Sequence, residues 1–310
     1  MEKIKIIFMG TPEIACLSLK SLAASPRIDI VCVLTQEDKK TGRDQILTPT
    51  PVKKTALELN LKVLQPSSLK NNTELRNELS ELNPDFFVVI AYGQILPKSF
   101  LEIPKLYPIN IHGSILPKYR GASPIESCLL AGDKETGISI MKMEQSMDTG
   151  PVFFTHTINI SDKDNQSTLR NRLAELSASK ITEDLIKIYE DKLVPVKQDE
   201  ENATYCKKIE KNKGEIDLLL ENSTEIFNKF RAFYNWPGTF LKHKNKIVKL
   251  IEIENLPKEK STAGEIEISN SLILLHCKTG KIVIKQLQIE GKKNQDTKTF
   301  LNGNQTFFNK

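Results

Sequence analysis

Three polar residues in the middle of the chain have side chains suited to acid–base chemistry. Asn110 and His112 lie two positions apart in a short β-branched run that predicts a strand, so their side chains share one face of it. Asp148 follows 36 residues after His112, in a polar loop between two further predicted strands. Because ligands of open α/β sheets bind at the carboxyl ends of the strands, we expect the amide, the imidazole and the carboxylate to converge there.

These three side chains together suit the attack of an amine on a carbonyl carbon. The carbonyl oxygen gains negative charge, which N–H donors of an asparagine and a protonated histidine stabilise; losing one such donor typically costs about 3 to 4 kcal/mol. A carboxylate beside the histidine holds its charge state and assists proton transfer, which is worth roughly 10²- to 10⁴-fold in rate. Taken singly, each residue is more often a structural hydrogen-bonding group or the start of a turn. The prediction therefore depends on the combination.

The first 190 residues predict the sheet that would position these groups. Short β-branched runs alternate with helical patterns, which is typical of a doubly wound α/β domain with a mostly parallel sheet. The predicted strands are Ile4–Met9, Ile30–Thr35, Phe86–Ala91, Ile109–His112, Ile138–Met143 and Val152–Ile158. The predicted helices are Pro12–Ala24, Val52–Asn60, Thr73–Leu82, Pro124–Leu130 and Ser167–Glu190.

A second, smaller region is predicted after the helical periodicity stops at Asp191. The stretch Lys192–Asn202, with its proline and charges, is typical of a linker. A helix at Ser223–Phe233 and a Trp236-Pro237-Gly238 turn then precede short alternating strands, a pattern that indicates a small β-barrel. Those strands are Thr239–His243, Lys246–Glu254, Gly264–Ile268, Leu272–Cys277 and Ile282–Gln288.

These patterns divide the chain into a catalytic domain (1–190), a linker (191–207) and a barrel domain (208–310). Charge is distributed unevenly between them: residues 1–207 hold 26 Lys and Arg against 27 Asp and Glu, and residues 208–310 hold 18 against 12. A small basic domain suits a polyanionic partner such as RNA. A lysine-rich solubilising surface would explain the same excess equally well.

Composition restricts the cellular setting and the cofactors. The sequence shows no basic segment followed by a long apolar run at its start, and no stretch of about 18 uncharged apolar residues, so we expect a cytoplasmic protein without a membrane span. The five cysteines are widely scattered and form no CxxC pair. We therefore expect no disulfide, no zinc and no other metal.

A dinucleotide site is disfavoured at the first strand-to-helix turn. Gly10-Thr11-Pro12 ends the first predicted strand, but the GxGxxG pattern that lets the backbone approach a pyrophosphate is absent. Glu37 and Asp38 stand beyond the second strand, where a ribose could be bound, yet the glycines that should accompany them are missing. A plain turn explains the segment better, and no nicotinamide or flavin is implied.

The segment from Asn110 to Gly121 carries a resemblance to a known family. Asn-x-His-Gly-Ser-x-Leu-Pro-x-x-Arg-Gly, followed by Asp148-Thr149-Gly150, resembles the signature of the formyltetrahydrofolate-dependent formyltransferases. Through this resemblance Asn110, His112 and Asp148 match the family's catalytic trio, and the co-substrate is 10-formyltetrahydrofolate. It also implies two folate-contacting stretches, with Ile115 where leucine is usual: Ser114, Ile115, Leu116 and Pro117, and Tyr92, Gly93, Gln94 and Ile95.

Members of this family differ in the amine they formylate, and two regions here resemble those acting on initiator methionyl-tRNA. Residues 204–238 are similar to an OB-like second domain, which sugar-formylating members carry in a related form. Residues 36–53 are similar to a loop inserted against the tRNA acceptor end, although Glu37 and Asp44-Gln45-Ile46 depart from its pattern. The implied tRNA contacts are Lys39, Lys40, Gly42 and Arg43, on a flexible loop. An ordinary solvated surface loop is the alternative explanation.

Three alternatives stay open at the level of sequence. Formyl transfer to a nucleotide amino sugar, and hydrolysis of 10-formyltetrahydrofolate by water, would use the same three residues. An RNA- or nucleotide-binding module on an inactive α/β scaffold would not need them, so their presence favours an enzyme. We expect a monomer with initiator methionyl-tRNA and folate as partners.

Overall fold

The computed structural model describes residues 3–42, 44–304 and 306–308 and divides the chain into two compact units. Unit 1 comprises Met1–Pro124, Glu135–Asn159 and Arg170–Cys206, and unit 2 comprises Ile125–Lys134, Ile160–Leu169 and Lys207–Lys310. The second unit thus contains two stretches from within the predicted catalytic domain, in addition to the C-terminal region expected from sequence.

The first eleven strands and first six helices extend from residue 4 to residue 206. The strands are β1 (Ile4–Gly10), β2 (Ile28–Leu34), β3 (Lys39–Thr41), β4 (Ile46–Thr48), β5 (Val63–Leu64), β6 (Phe86–Ile90), β7 (Tyr107–His112), β8 (Arg120–Gly121), β9 (Glu135–Lys142), β10 (Val152–Asn159) and β11 (Tyr205–Cys206). The helices are α1 (Cys16–Ala24), α2 (Pro51–Glu58), α3 (Thr73–Glu81), α4 (Lys98–Leu101), α5 (Pro124–Ala131) and α6 (Gln166–Asp191). Short 3₁₀ turns cover Glu13–Ala15 and Glu200–Asn202.

Seven of these strands form one sheet in the order β10-β9-β7-β6-β1-β2-β5. The pairs from β7 to β5 are parallel, and β9 and β10 extend the sheet with antiparallel pairs. β6 is buried along its whole length and so is most of β1, as expected for central strands covered on both faces. The predicted mostly parallel α/β sheet is therefore confirmed, with an antiparallel edge.

In unit 1, polar side chains cap the amino-terminal ends of α2 and α3. The Thr50 side chain accepts a hydrogen bond from the Lys53 N–H, and Pro51 occupies the first position of α2. The Asn72 side chain accepts from the Leu75 N–H and begins α3. Leu75 and Leu79 of α3 then pack into a core cluster with alternate residues of the sheet: Ile7, Met9, Cys32, Leu34, Phe87 and Val89.

From residue 207 onward, unit 2 is built mainly from antiparallel strands and two helices, to which Ile125–Lys134 adds most of α5. Its elements from residue 207 onward are a 3₁₀ turn (Lys211–Gly214), α7 (Ser223–Ala232), β12 (Thr239–His243), β13 (Lys246–Leu256), β14 (Ile266–Ser269), β15 (Leu272–His276), β16 (Lys281–Ile289), β17 (Gln295–Asp296) and α8 (Thr297–Gly303). The strand order is β12-β13-β16-β15-β14, with β17 beside β16. The predicted antiparallel strands are confirmed, but within the residues that the structure describes no pairing of β12 with β14 closes them into a barrel.

Candidate active site

The strand β7 positions two of the three predicted catalytic side chains. It lies between β6 and β9, with Asn110 opposite Val89 on one side and opposite Met141 on the other. β7 ends at His112, which is buried and pairs with Ser139 of β9. Asn110 and His112 therefore occupy the carboxyl end of a parallel strand next to the point where the sheet changes to antiparallel pairing.

The third side chain, Asp148, reaches the same edge from the loop between β9 and β10. Its Oδ1 lies 3.4 Å from Asn110 Nδ2, and its Oδ2 lies 3.6 Å from His112 Nδ1. The backbone N–H of Gly121 donates to Oδ2 at 2.8 Å. The Asp148 side chain is only 14% exposed, so these contacts form in a largely dehydrated setting. The structure brings the amide, the imidazole and the carboxylate together.

The hydrogen bond of the other ring nitrogen, Nε2, fixes the orientation of the His112 ring. Nε2 lies 2.9 Å from the carbonyl oxygen of Tyr119. Because a carbonyl oxygen only accepts hydrogen bonds, Nε2 carries a hydrogen, and the neutral ring then presents an unprotonated Nδ1 toward Asp148. Tyr119 thus selects the tautomer in which the acceptor nitrogen faces the carboxylate.

At two positions near the Asp148 carboxylate, neighbouring backbone atoms leave no room for a side chain, so only glycine fits. A Cβ on Gly121, whose φ is +118°, would lie 2.2 Å from the Cys206 carbonyl oxygen. A Cβ on Gly150 would lie 1.9 Å from the Lys142 carbonyl oxygen. Asp148 itself has a φ of +56°, a left-handed conformation that is uncommon for residues other than glycine. The loop is therefore held in a geometry that it would rarely adopt alone.

The segment 114–117, implied to contact folate, is fixed by hydrogen bonds from its own side chains and from β9. The Ser114 hydroxyl donates to the Lys118 carbonyl oxygen at 2.6 Å and is completely buried. Ser139 of β9 donates to the Ser114 carbonyl oxygen and accepts from the Leu116 N–H. Sequence analysis assigned no role to Ser139, because a serine within a buried strand has no distinctive local pattern. Ile115 and Pro117 are half-buried.

The second implied folate stretch, residues 92–95, follows β6 at the same sheet edge. The Thr11 hydroxyl donates to the Tyr92 carbonyl oxygen at 2.7 Å, which ties the end of β1 to this stretch. Gln94 is used structurally, since its amide bonds both the Leu69 N–H and the Pro66 carbonyl oxygen. Ile95 is 78% exposed, and Gly93 has a φ of +89°. Tyr92 is buried without a partner for its hydroxyl, and burial raises its pKa.

The predicted flexible loop near residue 40 is instead a hairpin. β3 pairs antiparallel with β4, and the Thr41 and Thr48 hydroxyls are 2.5 Å apart. Lys39 and Lys40 are exposed on β3, and Gly42 has a φ of +72° at the turn. Ile46 and Leu47 on β4 are 64% and 61% exposed. Arg43, the remaining predicted contact, lies outside the described residues.

The expected linker contributes to the site. Residues 196–206, here called the crossing segment, lie in unit 1, where β11 pairs in parallel with β8. Arg120 is completely buried, and its guanidinium donates to both carboxylate oxygens of Glu200 and to the Tyr205 hydroxyl. Hydrogen bonds from Arg120 hold the pKa of the Glu200 carboxyl below its ordinary value. Arg120 belongs to the family motif, but its partners lie 78 to 85 residues away and could not be predicted from the sequence.

Two features are absent from the residues that the structure describes. Across residues 3–42, 44–304 and 306–308, no group of three or more His, Cys, Asp or Glu side chains could hold a metal ion. No helix in the described part of the chain is both long enough and apolar enough to cross a membrane.

The fold and the site geometry indicate the class of the protein, and comparison with known proteins identifies the same class. Residues 2–185 match the profile of a family described as formyl transferase, and residues 208–305 match its C-terminal domain. The chain belongs to this formyl transferase family and is an enzyme. Among solved structures, an N-formyltransferase from Helicobacter canadensis has a TM-score of 0.69 at 19% identity, covering 91% of this chain and 98% of its own. WlaRD, a sugar 3N-formyl transferase, has a TM-score of 0.68 at 21% identity, covering 94% of this chain and 100% of its own.

Full-length relatives specify the branch of the family. The methionyl-tRNA formyltransferase of Caldicellulosiruptor saccharolyticus is 44% identical over 304 residues, and that of Campylobacter jejuni is 44% identical over 303 residues. Each alignment covers 96% of both chains. The chain therefore groups with the methionyl-tRNA formyltransferases, and the family resemblance carried by Asn110–Gly121 is confirmed.

Proposed function

We propose that this enzyme transfers the formyl group of 10-formyltetrahydrofolate to the free amino group of methionine on initiator tRNA. The observation that carries the proposal is the contact of Asn110, His112 and Asp148 at the carboxyl end of β7. The relatives that match over 96% of the chain are methionyl-tRNA formyltransferases, which supports the choice of acceptor.

The proposed reaction exchanges one carbon–nitrogen bond for another. The methionyl amine attacks the formyl carbon, a new C–N bond forms, and the bond from that carbon to the folate nitrogen breaks. One proton leaves the attacking amine and one proton reaches the departing nitrogen, so the overall reaction is balanced. The protein must therefore stabilise a transient oxyanion and move a proton between two nitrogens.

Asn110 and His112 are suited to the oxyanion. The Asn110 amide carries two N–H groups, and while one is directed toward Asp148 the other can donate to the carbonyl oxygen. His112 becomes a cation when Nδ1 takes up a proton, because Nε2 already carries a hydrogen toward Tyr119. A positive ring in this dehydrated position stabilises developing negative charge more strongly than it would in water.

Asp148 is suited to assist proton transfer. Its Oδ2 faces His112 Nδ1 at 3.6 Å, a separation from which a small movement gives a hydrogen bond once the ring is protonated. The Gly121 N–H donates to the same oxygen and fixes the direction of the carboxylate. The carboxylate thereby stabilises the protonated histidine and accepts a proton from the attacking amine.

The two stretches at this sheet edge are suited to hold the folate. Ile95 exposes an apolar side chain beside Gly93, where the absence of a Cβ leaves the backbone accessible to a flat ring. Ser114 acts indirectly, since its buried hydroxyl holds the 114–118 turn. When bound, the folate supplies the formyl carbon.

The tRNA would be recognised by exposed cations. Lys39 and Lys40 extend from the β3–β4 hairpin, which suits phosphate contacts near the acceptor end. In unit 2 four lysines are exposed around the turn that joins β12 to β13: Lys242, Lys244, Lys246 and Lys249. Contacts of this kind release counterions, so binding should weaken steeply as salt increases.

A transfer assay with purified protein tests the proposal. With 10-formyltetrahydrofolate and initiator methionyl-tRNA, we expect formylmethionyl-tRNA to accumulate, and light scattering should show one chain per particle. A parallel reaction receives a nucleotide amino sugar in place of tRNA, and another receives no acceptor. Formylation of the sugar alone, or release of free formate at the same rate without acceptor, would contradict the proposed function.

A further inference from the structure

The crossing segment contacts both loops that hold the catalytic groups. At one end Val196 exchanges two backbone hydrogen bonds with Val152, each 2.8 Å, just beyond the Asp148 loop. At the other end the Thr204 hydroxyl accepts from the Tyr119 N–H and its carbonyl oxygen accepts from the Arg120 N–H, both at 2.8 Å. The segment therefore joins the loop of Asp148 to the loop that fixes His112.

Gln198, between these two ends, contacts the Asp148 loop directly. Its Nε2 donates to the carbonyl oxygens of Asp148 at 2.8 Å and Gly150 at 2.7 Å. Both N–H groups of the carboxamide are thus committed to the backbone on either side of Thr149. Because Asp148 is in a left-handed conformation, contacts from outside the loop are needed to maintain it.

The remaining atom of the Gln198 amide is held by Arg120. Its Oε1 accepts from Arg120 Nε at 3.0 Å, which fixes which end of the amide faces the loop. Arg120 is in turn fixed by Glu200 and by Tyr205, whose ring lies 5.6 Å from the guanidinium carbon. A buried guanidinium requires such partners, and all three of them come from the crossing segment.

We propose that Gln198, oriented by Arg120, is a positioning residue that sets the direction of the Asp148 carboxylate toward Asn110 and His112. This inference rests on the proposed function and deepens it. It assigns part of the catalytic geometry to the segment between residues 185 and 208, which lies between the two regions that match the family profiles. Gln198 touches only the backbone of the loop. Its loss should therefore reduce turnover while leaving substrate binding intact, since misplacement of a reacting group by about 1 Å can cost roughly 100-fold in rate.

The variant Gln198→Glu tests this most directly. It preserves the side-chain length and an oxygen for Arg120, but it replaces two N–H donors with oxygens that repel the carbonyl groups of Asp148 and Gly150. Gln198→Met removes the same donors without adding charge. We expect kcat for formylmethionyl-tRNA formation to fall about 10- to 100-fold in both variants, with KM for tRNA and for folate within about twofold of wild type.

Asn77→Asp is the matched control. It also changes an amide to a carboxylate, on the exposed face of α3 where Asn77 Oδ1 accepts from Arg76 at 3.1 Å, and it should leave kcat unchanged. Urea denaturation of all three variants separates positioning from folding. A wild-type kcat in Gln198→Met, or a kcat decrease that appears equally in Asn77→Asp, would overturn the inference. Absence of activity in the wild type would instead overturn the proposed function, so the two failures are distinguishable.

Discussion

The Asp148 loop and the β3–β4 hairpin belong to the same unit but are held in opposite ways. Asp148 is fixed by groups distant in sequence, the Gly121 N–H 27 residues away and Gln198 50 residues away. The hairpin is fixed by its own pairing, with the Thr41 and Thr48 hydroxyls only seven residues apart. Asp148 is thus constrained from several directions, whereas the hairpin leaves its basic and apolar side chains exposed.

The largest effect is expected at the proposed catalytic groups themselves. Asp148→Ala should reduce kcat by at least about 100-fold, and up to about 10⁴-fold, because both the carboxylate and its influence on His112 are lost. His112→Ala should be similarly impaired. Steady-state formylation kinetics measure both, and Asp162→Ala, which removes an exposed carboxylate, is the control. Turnover near the wild-type rate in either variant would remove the site assignment.

Two glycine substitutions test how tightly each region is held. Gly121→Ala should lower the free energy of unfolding by about 2 to 5 kcal/mol, because the new Cβ meets the Cys206 carbonyl oxygen and the backbone is left-handed. Gly42→Ala at the hairpin turn should cost only about 1 to 2 kcal/mol, since nothing lies within 4 Å of its Cβ. Urea denaturation measures both. Equal losses would mean that the two regions are equally constrained.

The hairpin lysines should affect binding more than turnover. Lys39→Ala/Lys40→Ala should raise KM for tRNA about 5- to 10-fold, leave kcat unchanged, and lower the slope of log affinity against log salt by about 2. The matched control Lys20→Ala/Lys70→Ala removes two exposed lysines elsewhere in unit 1. The wild-type affinity should fall steeply between about 50 and 200 mM salt. An unchanged salt slope in the hairpin variant would exclude Lys39 and Lys40 as phosphate contacts.

The smallest effect concerns the exposed carboxylate that holds Arg120. Arg120 lowers the pKa of Glu200, so the pair stabilises the fold fully above the ordinary glutamate pKa of about 4.3 and loses this contribution as pH falls through the lowered value. Glu200→Gln should therefore melt below the wild type at pH 7, and the two melting temperatures should converge in acid. A difference that grows as the pH decreases would have the wrong sign.

Much of the fold could be predicted from sequence because its signals are local. The alternation of β-branched runs with helical patterns predicted the long strands of the main sheet to within a few residues, as for β1 and β10. β8 and β11 were missed because two residues cannot show a period. The β3–β4 hairpin was predicted as a flexible loop, since all three residues of β3 are polar and exposed and so show no alternation.

The candidate site likewise contains residues that could be predicted from the sequence and one that could not. Asn110 and His112 could be placed on one face because the period of a strand is two, and Asp148 was added through its loop and the family motif. Gln198 had no such signal: it lies in a stretch rich in charge and proline, and its partners are 48 to 78 residues away. Only the folded chain shows that this expected linker contacts the Asp148 loop.

The discontinuous make-up of unit 2 has a consequence for how the protein is made. The stretches Ile125–Lys134 and Ile160–Leu169 leave the ribosome long before Lys207–Lys310, with which they form one compact unit. Arg231 donates to the carbonyl oxygens of Ser161 and Asp164, contacts that cannot form until most of the chain has been synthesised. Residues 208–310 expressed alone would lack these partners. In the full chain, the second unit can fold completely only after Lys207–Lys310 has been synthesised.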